Sequence, residues 1–310
     1  MTKIRILHLS DIHFGQERKD GTVHFQDDVR AALTRDAARM KEKLGPANGI
    51  VVTGDIAFGG AKAEYDKAGL WLDSLCDMVG CKRNAIHTIP GNHDVDRKKI
   101  DFTAELMHEK LRECSPDDVD EIVAKILGDS NGRTVSAGAS ALFDKLAAYR
   151  EFAARYESDF ESEAKPTSVK DVRFPSGHTL RFLGMTSVQV CDADDQREKM
   201  ILGSNQYIFK PEENVEYVVM CHHPFTWFKD EMRAMPTIRT RGRVMLAGHE
   251  HNGRFRRIEE DGSEYLMLDA GAANPPKSEQ RSPHCYNWIE FEVLERVASR
   301  CFLLLRTRPW

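Results

Sequence analysis

Short apolar stretches alternate with long amphipathic ones in the first third of this chain, and that alternation limits its fold more than anything else. IRILHL (4–9), GIVVTG (49–54) and AIHTIPG (85–91) read as buried strands. Between them, FQDDVRAALTRDAARMKEKLG (25–45) has helical periodicity and stops at Gly45-Pro46, and AEYDKAGLWLDSLCDMVG (63–80) is a second amphipathic helix. Strand and helix in alternation call for a sheet joined by crossovers, the α/β class.

The middle of the chain breaks the pattern. Residues 101–163 lack strand signals and read as two or three helices, with loops near Ser115-Pro116 and between Gly128 and Gly138. They form a helical insertion or cap within one domain spanning 1–310. Strands then resume. DVRF and TLRFLGM flank PSGH as a hairpin. VEYVVMCHHP (215–224), RVMLAGHEH (243–251), RFRRIEEDGSEYLMLDAG (254–271), CYNWIEFEVLE (285–295) and RCFLLLRTR (300–308) are strand-rich. Asp261-Gly262 marks a hairpin turn, because both residues tolerate positive φ.

Composition excludes little but points one way. Hydrophobic residues are 41% and charged residues 30%, with a formal net charge of −5. The balance is that of a soluble globular protein, without a global electrostatic case for nucleic acid or membrane. No secretory signal and no transmembrane run are visible. The seven cysteines are scattered without a CxxC pair. They read as reduced, mostly buried thiols in a cytoplasmic protein. Cys221 is expected to pack at a strand end. The final LLLRTRPW is either a natural terminus or the cut edge of a longer protein.

Five strand ends carry the chemistry. HLSDIH ends with Asp11 and His13, VVTGD with Asp55, and TIPGNHD with Asn92, His93 and Asp94. VVMCHHP ends with His222 and His223, and VMLAGHEH with His249 and His251. In open α/β sheets, functional groups gather beyond the carboxyl ends of the strands. Each motif alone has an ordinary explanation: a turn aspartate, a helix cap, a core histidine. Five in this order point to convergence on a metal. Carboxylate, imidazole and amide oxygen without thiolate suit Zn, Mn, Fe or similar borderline divalent ions. Seven or more ligands suggest two ions sharing a carboxylate.

The ordered set DxH…GD…GNH[DE]…H…GHxH resembles the calcineurin-like metallophosphoesterase superfamily, and it runs from Asp11 to His251. The resemblance implies a four-layer αββα sandwich. It implies that Asp11, His13 and His251 bind one ion, that Asn92, His222 and His249 bind a second, and that Asp55 bridges both. The cofactors implied are two divalent metals (Mn2+, Fe2+/Fe3+ or Zn2+). Hydroxide drawn from a shared water would attack phosphorus in line, and His93 would donate a proton to the leaving oxygen. Asp94 would support His93 at the catalytic loop. His223 is expected to pack or to make a supporting contact.

The resemblance implies a phosphoester substrate. VVTGDIAFGGAKAEY with HHPF leans toward the bacterial cyclic-nucleotide phosphodiesterase branch, whereas GDIAFGG departs from the GDxVDRG of the protein Ser/Thr phosphatases. Three alternatives stay open: a phosphodiesterase acting on a nucleotide-type diester, a DNA or RNA nuclease, and a catalytically silent metal-bearing interaction module. Arg97, Lys98 and Lys99 follow the GNHD loop, and Arg97 and Lys98 are candidate contacts for substrate phosphate. Arg239, Arg241, Arg243, Arg254, Arg256 and Arg257 flank the GHEH strand and either bind phosphate or pair with nearby acids, pairing being the expectation for Arg256 and Arg257. No membrane partner is expected, and no protein partner can be named.

Overall fold

A computed structural model describes residues 3–17, 23–128, 137–193, 195–260, 262–275, 284–297 and 300–309. The first sheet contains β1 (Lys3–Leu9), β2 (Gly49–Thr53), β3 (Ile86–Ile89), β10 (Asn287–Val297) and β11 (Arg300–Pro309), in the order β11-β10-β1-β2-β3. The second contains β4 (Thr167–Arg173), β5 (Thr179–Met185), β6 (Val215–Met220), β7 (Gly242–Ala247), β8 (Arg254–Glu260) and β9 (Ser263–Asp269), in the order β4-β5-β6-β7-β9-β8. The central pairs β1–β2, β2–β3, β5–β6, β6–β7 and β7–β9 are parallel. Antiparallel strands close both edges of the second sheet and the β11 side of the first, whose other edge is the parallel β3.

Side-chain alternation along the strands builds four layers. Ile4 and Ile6 of β1, Val51 of β2 and Ile89 of β3 face Phe182 of β5, Val218 and Met220 of β6, and Val244 and Leu246 of β7, forming the core between the sheets. The alternate positions (Leu7, Leu9, Ile50, Val52, Val219, Met245) turn outward into a second core with the helices. Strands buried on both faces explain why the central ones read as unbroken apolar runs. The fold is the expected αββα sandwich.

Helices α1 (Val23–Leu44) and α2 (Lys62–Val79) occur as the periodicity predicts. The middle of the chain holds α3 (Phe102–Glu113), α4 (Val119–Leu127), α5 (Ala137–Phe143) and α6 (Ala147–Ala154). Part of the Gly128–Gly138 loop lies outside the described residues, as does Asp261 of the hairpin turn; Gly262 has φ 72°. Two helices were not expected: a single turn α7 (Ser204–Tyr207), and α8 (Glu231–Arg241), which has Pro236 inside it. β4 starts at Thr167, ahead of DVRF, because this edge strand buries its first two residues and then alternates toward solvent.

Candidate metal centre

All five motif loops leave the carboxyl ends of β1, β2, β3, β6 and β7, so the parallel topology delivers them to one edge of the sandwich. Backbone bonds join the first two loops: Asp11 N donates to Gly54 O (3.1 Å), and Ile12 N and His13 N both donate to Asp55 O (2.8 and 3.0 Å). Asp11, His13, Asp55, His222 and His249 lie in or beside a buried cluster, and Asn92 is 9% exposed.

The local backbone is unusual here. Eight described residues other than glycine have positive φ, and five of them are Asp11 (55°), His13 (53°), Asp55 (54°), His249 (70°) and His251 (54°). Left-handed backbone at residues with a Cβ costs about 1–3 kcal/mol each and collects at functional sites. The loops are bent to aim these side chains. Two glycines show how tight the site is. A Cβ on Gly54 would stand 2.4 Å from His222 Nδ1, and one on Gly91 would stand 2.2 Å from Asp55 Oδ1. That explains Gly before Asp55 and Gly before Asn92.

The side chains form two groups that meet at Asp55. In one, His251 Nε2 lies 3.3 Å from Asp11 Oδ1, and His13 Nε2 lies 3.2 Å from Asp55 Oδ2. In the other, Asn92 Oδ1 lies 3.0 Å from His222 Nε2 and 3.1 Å from His249 Nδ1, and His222 Nε2 is 3.5 Å from Asp55 Oδ1. Several three-donor sets within these groups could hold a metal ion, among them Asp11–His13–His251 and Asp11–Asp55–His222.

Hydrogen bonding tests whether a cation fits. His222 Nδ1 lies 2.7 Å from Thr53 O, and a carbonyl only accepts, so Nδ1 carries the proton. Nε2 then presents a lone pair to Asn92 Oδ1 and Asp55 Oδ1, which are also acceptors. His13 repeats the arrangement, with Nδ1 toward Asn274 O (3.4 Å) and Nε2 toward Asp55. Lone pairs facing lone pairs in a buried site require a cation or an added proton between them. Asp11 Oδ1 is buried and without a hydrogen-bond partner of good geometry. Burial would raise both carboxyls, but the surrounding imidazoles outweigh it and hold Asp11 and Asp55 below the usual carboxylate range. Burial pushes His249 down to about 4, into its neutral, ligand-competent form. The donor set fits divalent metal.

His93 borders these groups: its backbone N donates to Asp55 Oδ1 (2.8 Å), its ring lies 4.8 Å from that of His13, and His13, Asp55 and His93 form a further three-donor set. The His93 Nδ1–H donates to Phe58 O (3.0 Å), its ring stacks on Phe58 at 4.9 Å, and it is only partly buried. Nε2 is therefore the nitrogen left for exchange. Burial lowers the His93 pKa. Asp94 has no access to solvent and accepts from Gly91 N, Ile56 N, Ala57 N and Tyr65 OH at 2.9, 3.2, 2.8 and 2.9 Å. Burial and the Asp55 charge push Asp94 up to about 6 despite those donors. Its four bonds clamp the GD loop to the GNHD loop and engage both of its carboxylate oxygens.

The cationic residues divide. Arg97, Lys98 and Lys99 form an exposed 3-10 turn after Asp96, which accepts from Lys98 N. Arg97 is near enough for its charge to lower His93 further. The arginines around β7 are mostly paired, as expected for Arg256 and Arg257. Arg239 meets Glu260 (2.7 Å), Arg243 Glu216 (3.6 Å), Arg256 Asp269 (3.0 Å) and Arg257 Glu264 (2.6 Å). His8, His87 and His108 are buried and hydrogen-bonded in the core, and Cys221 is buried at the end of β6.

Four contributors escaped the sequence. Phe58 orients His93. Asn274, beyond β9, donates its backbone N to Asp11 O (3.0 Å) and its Nδ2 to Ile12 O (3.3 Å). Trp227 packs edge-on to His249 at 4.4 Å, and Arg197 lies 5.4 Å over the Trp227 ring while pairing with Glu250 at 2.7 Å. Only Asn274 had a readable signal, since LDAGAAN is a sixth apolar strand ending in a polar residue.

The model of the calcineurin-like phosphoesterase family matches residues 4–253. An uncharacterized metallophosphoesterase-like protein, YydB, from Bacillus subtilis is 28% identical over 109 residues, a stretch covering 35% of this chain and 21% of that protein. Among solved structures, a Thermus thermophilus sulfate thiohydrolase, SoxB, aligns over 99% of this chain and 56% of its own, with 12% identity and a TM-score of 0.42. A hypothetical protein from Thermus thermophilus aligns over 99% of both chains, with 11% identity and a TM-score of 0.42. Among the described residues no helix is long and apolar enough to cross a membrane. With its motifs at the strand ends and the family match running through all five, the chain belongs to the calcineurin-like phosphoesterase family.

Proposed function

We propose that this protein is a two-metal phosphodiesterase. Asp11, His13 and His251 would hold one divalent ion and Asn92, His222 and His249 the other, with Asp55 available to both. The observation that carries this reading is the set of acceptors facing acceptors around Asp55 and Asn92, with the opposite ring nitrogens of His13 and His222 committed to carbonyls. When bound, the ions supply Lewis-acid charge and an activated water for attack on phosphorus.

The chain's own residues do the rest. Thr53 O and Asn274 O fix the tautomers of His222 and His13, a supporting contact that orients ligands. Phe58 O fixes His93 so that Nε2 points to the leaving oxygen and delivers its proton. Asp94 holds the loops that carry Asp55 and His93 in register. Arg97 meets a phosphate oxygen or the second substituent of the diester, with Lys98 adding charge nearby. The helical segment supports that cationic turn, since Asp96 N donates to Lys145 O at 2.9 Å. The chemical class we assign is a nucleotide-type diester, in keeping with the lean of the GDIAFGG and HHPF motifs.

A substrate panel with added Mn2+ tests this reading. It contains bis-p-nitrophenyl phosphate, p-nitrophenyl phosphate, cyclic nucleotides, and single- and double-stranded DNA. Metal-dependent turnover of the diester and of a cyclic nucleotide is expected. Cleavage of DNA alone would move the assignment to a nuclease, and no turnover by the metal-loaded protein would leave only the interaction-module reading.

A further inference from the structure

Beside the site just described, three donor atoms converge without a role in it. Cys191, Asp195 and His223 each offer one ligand atom, and these lie within 4.8 Å of one another. His223 is fully buried; its Nδ1 meets Ser187 Oγ at 2.9 Å, and its Nε2 has no hydrogen-bond partner. Asp195 Oδ1 is taken by Asp192 N (3.1 Å) and Arg112 Nη2 (3.4 Å), whereas its buried Oδ2 receives no such donor. Cys191 is fully buried, and its thiol interacts with the Asp195 carboxyl. A buried imidazole nitrogen without a partner, beside a buried carboxyl whose neighbour is a thiol, is costly unless something binds it.

We infer that Cys191, Asp195 and His223 form a third cation site, adjoining the Asp55 centre through His223, whose donor atom also lies within 4.8 Å of those of His222 and His249, for a borderline divalent transition ion of the zinc class. Thiolate, carboxylate and imidazole are the ligand types zinc selects. Zinc bond lengths place tetrahedral ligand atoms about 3.3–3.6 Å apart, so side-chain movements of about 1 Å close the set. Thiolate and carboxylate together carry two negative charges, which balance a divalent ion in a buried place. Without the ion, burial holds both the Cys191 thiol and the Asp195 carboxyl above their ordinary ranges, so binding releases protons. Ser187 sits where an accessory partner of a ligating histidine belongs. Neither nearby cation takes a donor atom: Arg112 occupies Oδ1, and Lys145 donates to the backbone oxygens of Gln189 (2.7 Å) and Cys191 (2.9 Å).

The site has a structural consequence. His223 follows His222 directly, and its ring lies 4.5 Å from that of His249. Cys191 and Asp195 belong to the segment that carries Arg197 to Trp227 and Glu250. An ion here fastens that segment to the loop after β6, at the rim of the Asp55 centre.

Cobalt(II) titration of the full chain tests the inference independently of any phosphoesterase activity. The ligands proposed for the Asp55 centre include no sulfur, so a near-ultraviolet thiolate-to-cobalt band reports on a cysteine site alone. Wild type is expected to show that band and to bind one cobalt more than Cys191→Ser, which lacks the band. A Cys76→Ser, Cys81→Ser double variant controls for the other close thiol pair, whose sulfurs are 2.7 Å apart, and keeps the band. Should Cys191→Ser not fold, Asp195→Asn retains the thiol and is expected to need at least ~10-fold more cobalt to develop the band. Saturation of wild type without a thiolate band, or a band that persists in Cys191→Ser, overturns the site.

Discussion

The motif loops and the helical segment 102–154 are specified by opposite means. In the loops nearly every residue has its own task and the backbone is strained to perform it: five side chains project from left-handed positions, and Gly54 and Gly91 leave no room for a methyl group. In the helical segment the pattern matters more than the individual residue. Leu111, Leu142, Phe143 and Leu146 fill one core at helical spacing, while Lys110, Asp144 and Ala147 beside them face solvent and Lys145 is buried. Such a core tolerates apolar exchange of similar volume. The loops should not tolerate even a conservative change. Packing specifies one region and individual side chains the other, a division that strained sites on rigid scaffolds lead one to expect.

Substitutions can break that contrast. The largest effect is expected from Asp55→Asn, which should reduce diester hydrolysis to background, at least ~10^3-fold, and lower metal content, because it removes the one carboxylate common to both groups. Near-normal turnover in a folded Asp55→Asn protein would dissolve the distinction. His93→Ala should slow turnover by about 10^2–10^4-fold while leaving metal content unchanged. Loss of metal would instead make His93 a ligand.

In the helical segment, Phe143→Ala should lower unfolding stability by about 3–5 kcal/mol in denaturant titration. Metal content and turnover of the protein that remains folded should stay as in wild type. A change in metal stoichiometry would show that the two regions are not separable.

Acid sensitivity is a smaller effect with a definite sign. His87 is fully buried between the sheets, hydrogen-bonded to Ser168, and burial lowers its pKa to about 3. Between pH 6.5 and about 3 the unfolded chain binds the proton and the folded chain does not. Stability is therefore lost as pH falls through that window, by up to ~1.4 kcal/mol per pH unit for this group. His87→Gln should show a shallower loss over the same window in parallel melts; an equal slope would mean that His87 is charged in the fold. The smallest effect is expected from Arg97→Ala, a KM increase of about 3–10-fold that shrinks as salt rises, since Arg97 is exposed.

What the sequence reveals follows the same division. Asp11, His13, Asp55, Asn92, His222, His249 and His251 are legible because each polar residue directly follows an apolar strand, and parallel topology brings strand ends together. The layers are legible because strands and helices alternate. Contacts between distant elements are not. Phe58 under His93, Tyr65 on Asp94 and Ser187 on His223 have no local signature, and Cys191 and Asp195 meet His223 only through the sheet. Helix α8 is hidden for a local reason: Pro236 interrupts the helical pattern, while packing of Ala234 and Ile238 holds the segment helical.

The central claim is that two ions share Asp55. Electron paramagnetic resonance of the Mn2+-loaded protein addresses it directly, because two manganese ions roughly 3.5–4 Å apart are magnetically coupled. The account predicts an exchange-coupled dimanganese signal in wild type that disappears in Asp55→Asn. A wild-type spectrum composed only of isolated Mn2+ would contradict it.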